Sequence, residues 1–413
     1  MSDFFASRWV QRPAFVRDAT AMPAGFRLGG VPAGVKSVDS QDLDLGLVVS
    51  DQPGTVSAAR FCDSGVLAAP VVVTRERCDL HGLRAVVANS GNANAATGDG
   101  GIEQAVRMQE AAATALGLHP REVAVASTGV IGVPLPGERI AAAIPRLAAA
   151  LSTEGAEGFA HAIRTTDVLD KHVSLELTLP SGTVTLAAQC KGAGMISPQF
   201  ATMLCFVQTD ADLGAQTADL LLGVTVKRSF DRISVDGQLS TNDTVILMAS
   251  GASGVRVEPE TDDELRFGEA LDALLRQLAL RIVADGEGAR RVGRVHVRGG
   301  GEASVSRVAR AVANSPLVKA ALFGGDANWG RIAQAIGAAL PGSAPLAFDI
   351  AIEGITVCRA GAAVAFDAGA LARGVDGDEV LYEIDLPGEG AESELFFSDL
   401  SYDYVKINAE YTT

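Results

Sequence analysis

Apolar residues along the chain gather in short runs separated by turns rich in glycine and asparagine, and the period within each run selects its element. Residues 83–88 form a short apolar run of the kind a buried strand needs, and Asn89-Ser90-Gly91-Asn92-Ala93-Asn94 after it reads as a loop. Across 102–116, Ile102, Val106, Met108, Ala112 and Leu116 fall near one helical face, and Gly117 and Pro120 supply the stop. Residues 122–127 predict a second strand, closed by the turn Thr128-Gly129, and 140–151 predict an alanine-rich helix in which Pro145 is a candidate kink. Residues 173–179 and 184–189 predict two strands joined by the hairpin turn Pro180-Ser181-Gly182-Thr183. A glycine-rich loop, 191–202, leads into an apolar strand at 203–209, and longer helices follow at 215–227 and 262–283. Beyond Val292 short strands and helices mix, ending in a strand at 379–386 and a polar-aromatic tail. Gly299-Gly300-Gly301 fits either a boundary or a plain loop. The mixture throughout predicts an α/β or α+β protein with layered sheets, and periodicity alone leaves the topology open.

Composition and charge change this picture mainly by exclusion. A chain of 413 residues exceeds one ordinary core, which predicts two domains or one large domain with an appendage. A net charge of −16 disfavours nucleic acid and anionic membranes as partners, since both demand basic patches. Five cysteines (Cys62, Cys78, Cys190, Cys205 and Cys358) are an odd number without a CxxC pair, which fits a reducing cytosol better than a disulfide framework or a zinc site. The histidines show no metal-ligand spacing, so neither a metal nor a resident cofactor is expected. The first twenty residues lack the apolar run of a secretory signal, and no stretch of about 18 apolar residues predicts a membrane span.

The candidate chemistry lies in Lys191-Gly192-Ala193-Gly194-Met195-Ile196-Ser197-Pro198-Gln199-Phe200-Ala201-Thr202-Met203-Leu204. Taken alone, this is a loop entering a strand, with Thr202 favoured by its β propensity. The segment closely resembles the cleavage segment of the glutamate N-acetyltransferase/ornithine acetyltransferase family. Further blocks resemble the same family in the same order: Asn89 to Gly98, Ser127 to Gly132, Ser229 to Val245, Asp285 to Gly288, Asn314 to Lys319, Phe323 to Ile332 and Asn408 to Thr413. The resemblance covers nearly all of the chain after the first twenty or so residues.

The resemblance implies self-cleavage between Ala201 and Thr202 into an alpha chain, 1–201, and a beta chain, 202–413. Thr202 then carries a hydroxyl nucleophile and a free α-amine on one residue, and an amine with a pKa of roughly 8 can serve as its base. That arrangement needs no histidine, in keeping with a chain whose histidines form no evident triad. The implied reaction passes acetyl from N-acetylornithine through Thr202 to glutamate. By the same resemblance Thr128 and Gly129 stabilise the oxyanion, and Thr165, Lys191, Thr202, Glu287, Asn408 and Thr413 hold substrate. Thr165 is preferred over its neighbour Thr166. The implied fold is a layered α/β/β/α sandwich, residues 1–285, with a smaller C-terminal α/β domain, 286–413. The implied assembly is a cytoplasmic heterotetramer of two alpha and two beta chains.

Several residues keep other readings. Asn89, Asn92 and Asn94 fit loop pinning by side-chain hydrogen bonds, with support of the oxyanion turn as a secondary role. Asp326, Asn328, Trp329 and Arg331 fit capping of a helix start equally well. Asp236 and Asp243 are a weaker candidate acid–base pair. Gln199-Phe200 stands where Asn-Met is more usual in the family, Ala96 replaces a frequent cysteine, and Arg60-Phe61-Cys62 is an irregular early strand. None of these removes a proposed catalytic group, but they leave the acyl donor and acceptor open, with acetyl-CoA as an alternative donor. A self-processing amidase or aminopeptidase using the same Thr202, and a non-catalytic paralogue, are the other function classes.

Overall fold

Strands Leu45–Ser50 and Ala85–Asn89 are buried at every position. Alternate side chains point to opposite faces of a strand, so a strand buried throughout must be covered on both sides. The computed structural model, which describes residues 4–197, 203–388 and 390–410, supplies both covers. These two strands form the middle of a four-stranded sheet with Phe26–Val31 and Val123–Ser127 at its edges. Val31, Leu47, Val87 and Val125 on one face pack against Met108, Ile140 and Ile144 of helices Gly98–Leu116 and Gly137–Ala149. Leu28, Val48, Val86 and Ala124 on the other face meet Phe206, Ile246 and Met248 of a second sheet.

That second sheet has six strands in the order Val16–Asp18, Lys171–Leu179, Gly182–Lys191, Leu204–Thr209, Thr244–Ala249, Val56–Phe61. Leu175, Leu186, Val207 and Leu247 on its outer face pack against helices Ala215–Arg228 and Asp262–Ala284. The layers therefore run helix, sheet, sheet, helix, the α/β/β/α sandwich that the resemblance implies. The long helix Asp262–Ala284 is fixed at its start by Thr261, whose side chain accepts from Glu264 N, and by three acids in its first turn.

A third, seven-stranded sheet takes Ile233–Ser234 from before residue 285 and its other strands from after it. Its central strands are Glu392–Ser398, Val292–Arg298 and Glu379–Asp385. Val295, Val297 and Ile384 lie in a core with Val308, Val318 and Ile336 from helices Glu302–Ala313, Pro316–Phe323 and Trp329–Ala339. Gly299-Gly300-Gly301 is a plain loop here, joining a strand of this sheet to the helix that packs against it. No helix among the described residues is long and apolar enough to cross a membrane.

The elements differ from the sequence expectation in four places. The hairpin turn is only Pro180-Ser181, because Leu179 pairs directly with Gly182. The second strand of that hairpin continues to Lys191, which pairs with Leu204 instead of opening a loop. The helix expected from Ile102 begins at Gly98, and the Asn94 amide holds the Gly101 carbonyl of its first turn at 2.9 Å. The polar-aromatic tail contains a helix, Tyr402–Glu410.

Two predictions follow from this packing. Phe206 is fully buried between the two sheets and meets Phe159 edge-to-face at 5.6 Å, so Phe206→Ala should cost about 3–5 kcal/mol in equilibrium denaturation. A loss under about 1 kcal/mol would contradict the account of this core. Lys319, buried under the third sheet, donates to the Ser398 carbonyl. Burial pushes its pKa down to about 7 against the pull of Asp236 and Asp399. Between that value and the ordinary 10.5 the unfolded chain binds the extra proton, so stability should rise with pH across this window. Lys319→Met should flatten that slope in denaturation curves taken across it, and an unchanged slope would contradict the assignment.

Candidate active site

Strand Gly182–Lys191 ends at a cavity of about 240 Å³ between the sandwich, the 236–242 segment and the terminal helix. Thr128, Gly129, Thr165, Thr166, Lys191, Glu287 and Asn408 all line it. The structure thus brings together every described residue that the resemblance assigned to catalysis or substrate. Ala201, Thr202 and Thr413 lie outside the described residues. A larger hollow of about 950 Å³ between helices Gly98–Leu116 and Gly137–Ala149 contains none of them.

Lys191 is 3 % exposed. Its ammonium donates to Thr165 Oγ1 at 2.8 Å and to Thr128 Oγ1 at 3.2 Å, and it lies 4.0 Å from Asp167 Oδ2. Burial pushes its pKa below the ordinary lysine value, and Asp167 opposes the shift. A buried ammonium needs such partners, since leaving it unpaired would cost several kcal/mol. Thr166 also lines the cavity, but the Lys191 contact goes to Thr165.

Behind Lys191 runs a buried chain of alternating charge that the sequence reading missed. Asp167 accepts from Lys171 Nζ at 2.7 Å and from Gly192 N at 2.6 Å. Lys171 also donates to Asp285 Oδ2 at 2.5 Å. Burial raises the Asp167 carboxyl, but the Lys171 and Lys191 ammoniums and the Gly192 N–H outweigh it and hold it below the usual carboxylate range. Asp167 and Lys171 are four apart, a spacing that sequence patterns assign to a helix face. Here the lysine opens a strand, so that signal pointed to the wrong element.

The turn Thr128-Gly129 leaves strand Val123–Ser127 and lies along the asparagine-rich loop. Thr128 N donates to Asn89 O, and Ala93 N donates to Val130 O. The Asn89 amide bonds Asn92 O at 2.9 Å and accepts from Ser127 Oγ at 2.6 Å, while the Asn92 amide holds Val133 O at 3.1 Å. Loop pinning is therefore the geometry of these asparagines, and what they pin against is the Thr128 turn. Gly129 has φ +131°, and a Cβ there would stand 2.4 Å from the Gly91 carbonyl carbon. Only glycine allows the two loops to approach so closely.

Glu287 and Asn408 form another part of the wall. Asn408 Nδ2, on the terminal helix, donates to Glu287 Oε2 at 2.7 Å. Glu287 lies directly over Gly194, where a Cβ would be 2.6 Å from Oε1. Tyr404, one turn before Asn408, also lines the cavity, and no motif or spacing in the tail singles it out.

Asp236 and Asp243 do different jobs from an acid–base pair. The Asp236 carboxylate accepts from Met195 N at 2.7 Å and Ile196 N at 2.9 Å. Asp243 Oδ1 accepts from Met203 N at 3.0 Å, and Ser240 also lends a hydrogen bond to its carboxyl. Burial pushes both carboxyls above the ordinary range, Asp243 well above it. Asn328 caps helix Trp329–Ala339 by accepting from Arg331 N, and its amide meets Asp326 Oδ2 at 3.0 Å, so that block has the capping geometry.

The sequence profile described as the ArgJ family matches residues 27–413. The arginine biosynthesis bifunctional protein ArgJ of Symbiobacterium thermophilum is 45% identical over 393 residues, 95% of this chain and 98% of that protein. The protein of the same name from Geobacter sulfurreducens is 44% identical over 392 residues, 94% and 99% of the two chains. A crystal structure of ornithine acetyltransferase complexed with ornithine, from Mycobacterium tuberculosis, is 38% identical, covers 44% of this chain and 98% of its own, and has a TM-score of 0.41. With a family match that spans almost its whole length and relatives of this identity, the chain belongs to the ArgJ family, whose members are acyltransferases of arginine biosynthesis.

Proposed function

We propose that the protein cleaves itself between Ala201 and Thr202 and then transfers acetyl from N-acetylornithine to glutamate through an acetyl-Thr202 ester. The observation that carries this reading is the cluster of Thr128, Gly129, Thr165, Lys191, Glu287 and Asn408 around one cavity. Family membership supports it, as does the name of the Mycobacterium relative, an ornithine acetyltransferase.

In the precursor the Thr202 hydroxyl attacks the Ala201 carbonyl, the peptide nitrogen leaves as the Thr202 amine, and water hydrolyses the resulting ester. The freed amine then takes the proton from Thr202 Oγ as that oxygen attacks the acetyl carbonyl of N-acetylornithine. Charge develops on the carbonyl oxygen and is met by the Thr128 hydroxyl and the Gly129 N–H. Lys191 strengthens the first donor: Thr128 Oγ1 accepts from its ammonium, which leaves the hydroxyl proton free to donate. Ornithine leaves with a proton on its amine. The glutamate amine attacks the ester and departs as N-acetylglutamate, restoring Thr202.

Glu287, a carboxylate in the wall, suits the ammonium of the substrate, with Asn408 orienting it. The relatives are named bifunctional, and acetyl-CoA is the second donor within this proposal. Cleavage would leave the two chains joined, because Gly182–Lys191 of the first pairs with Leu204–Thr209 of the second from Leu186↔Thr209 to Lys191↔Leu204. Assembly of two such pairs into a cytoplasmic heterotetramer belongs to the same proposal.

Denaturing intact mass spectrometry tests the first step. The purified protein should give two fragments divided between Ala201 and Thr202, and Thr202→Ala should remain whole. An uncut wild-type chain would reject the nucleophile assignment. For transfer, Thr128→Ala removes one oxyanion donor and should lower kcat about 10²- to 10³-fold, while Thr128→Ser should recover most of it. Equal kcat in the alanine variant and the wild type would remove Thr128 from the mechanism. Acetate released without glutamate, in place of transfer, would favour an amidase.

A further inference from the structure

The geometry of one dipeptide joins both halves of the proposed chemistry. Asn242 Nδ2 donates to Ser127 O at 2.9 Å and to Ala93 O at 2.7 Å. Ser127 immediately precedes Thr128, and Ala93 belongs to the loop against which the Thr128 turn lies. The next residue, Asp243, accepts from Met203 N at 3.0 Å. Met203 immediately follows Thr202. Both attachments therefore start from adjacent residues, whose Cα atoms are about 3.8 Å apart.

The dipeptide is itself held on every side. Asn242 and Asp243 are 5 % and 1 % exposed. Asn242 N donates to Ser240 Oγ, Cys62 N to Asp243 O, and Thr244 N to Met203 O. Strand Thr244–Ala249 then runs parallel to Leu204–Thr209, with Thr244 opposite Leu204. Asn242 Oδ1 accepts from Thr241 Oγ1 at 2.5 Å, and the two carbonyl acceptors on its other side require the nitrogen there, so the amide has one orientation.

We propose that Asn242 and Asp243 are positioning residues that fix the Thr128-Gly129 turn relative to the backbone of Met203, the residue that follows the proposed nucleophile in sequence. This rests on the acyl-transfer reading above and adds to it the residues that hold its two halves in register. Neither side chain reacts. A misplacement of about 1 Å between reacting groups costs on the order of 100-fold in rate, so the clamp acts on kcat. Asn242 lines the same cavity as Glu287 and Asn408, but its amide is engaged by Ser127 O and Ala93 O, so its loss should act on kcat more than on KM. Asp243 is buried and held toward its neutral form, and an asparagine reproduces both its shape and its acceptor for Met203 N.

The test compares Asn242→Ala, Asp243→Ala and Asp243→Asn with the wild type, in rate of self-cleavage and in steady-state acetyl transfer, with thermal melts as a check on folding. Both alanine variants should slow cleavage and lower kcat about 100-fold, with KM for N-acetylornithine within about twofold, and Asp243→Asn should recover to within about tenfold of the wild type. Should Asn242→Ala not fold, Asn242→Ser keeps one donor and should give an intermediate kcat. Wild-type kcat in the Asn242 variants, a rise in KM at constant kcat, or Asp243→Asn as slow as Asp243→Ala would each overturn the proposal. A wild-type protein that neither cuts itself nor transfers acetyl rejects the underlying reading instead, whereas an active wild type with unaffected variants rejects only the clamp.

Discussion

The structure around the cavity depends on the burial of one ammonium, that of Lys191. A charge taken out of water needs compensation, and here it comes from two hydroxyls and a carboxylate. The hydroxyls are those of Thr128 and Thr165, so the same requirement that keeps Lys191 stable draws two loops to the end of one strand. Asp167 must in turn be held, which accounts for Lys171 and, beyond it, Asp285. Asp285 is two residues before Glu287, so the chain of charges reaches the opposite wall of the cavity through the backbone.

The sandwich makes this possible because its sheets are buried on both faces and end together. Strand Val123–Ser127 of one sheet delivers Thr128, and strand Gly182–Lys191 of the other delivers Lys191. The inter-sheet core of Phe206, Phe159, Ile246 and Met248 holds those strand ends in register. The third sheet contributes from the side: Ile233–Ser234 joins it just before Asp236, whose carboxylate anchors Met195 and Ile196. The backbone of 195–196 and that of Met203 are thus both tethered by buried carboxylates from one block of sequence.

Much of the layered fold was legible in the sequence because both faces of its strands are apolar and its helices have clear amphipathic faces, as at Ile102 to Leu116. The residues that line the cavity were legible for a different reason: ordered motif blocks resembling a known family, with Lys191, Thr128 and Glu287 lying far apart in the chain. What escaped was whatever only tertiary structure decides. Nothing in the sequence marks Asp167 and Lys171, since Lys171 opens a strand and pairs across to Asp285, far away in the chain. Asn242 lies within the Ser229 to Val245 block with nothing to mark it, yet its amide spans two loops. The tail is polar and aromatic in sequence, with no element assigned to it, although residues 402–410 form a helix that brings Asn408 to Glu287. In each case the informative contact joins residues that sequence periodicity cannot relate.

The central claim is that acetyl resides on Thr202 between the two half-reactions. Mixing the protein with N-acetylornithine in the absence of glutamate, quenching in acid and weighing the fragments tests it directly. The account predicts that the fragment beginning at Thr202 gains the mass of one acetyl group, located on that residue by peptide fragmentation, and loses it when glutamate is added. Turnover to N-acetylglutamate with no acetylated fragment at any time, or acetyl found on another residue, would contradict it.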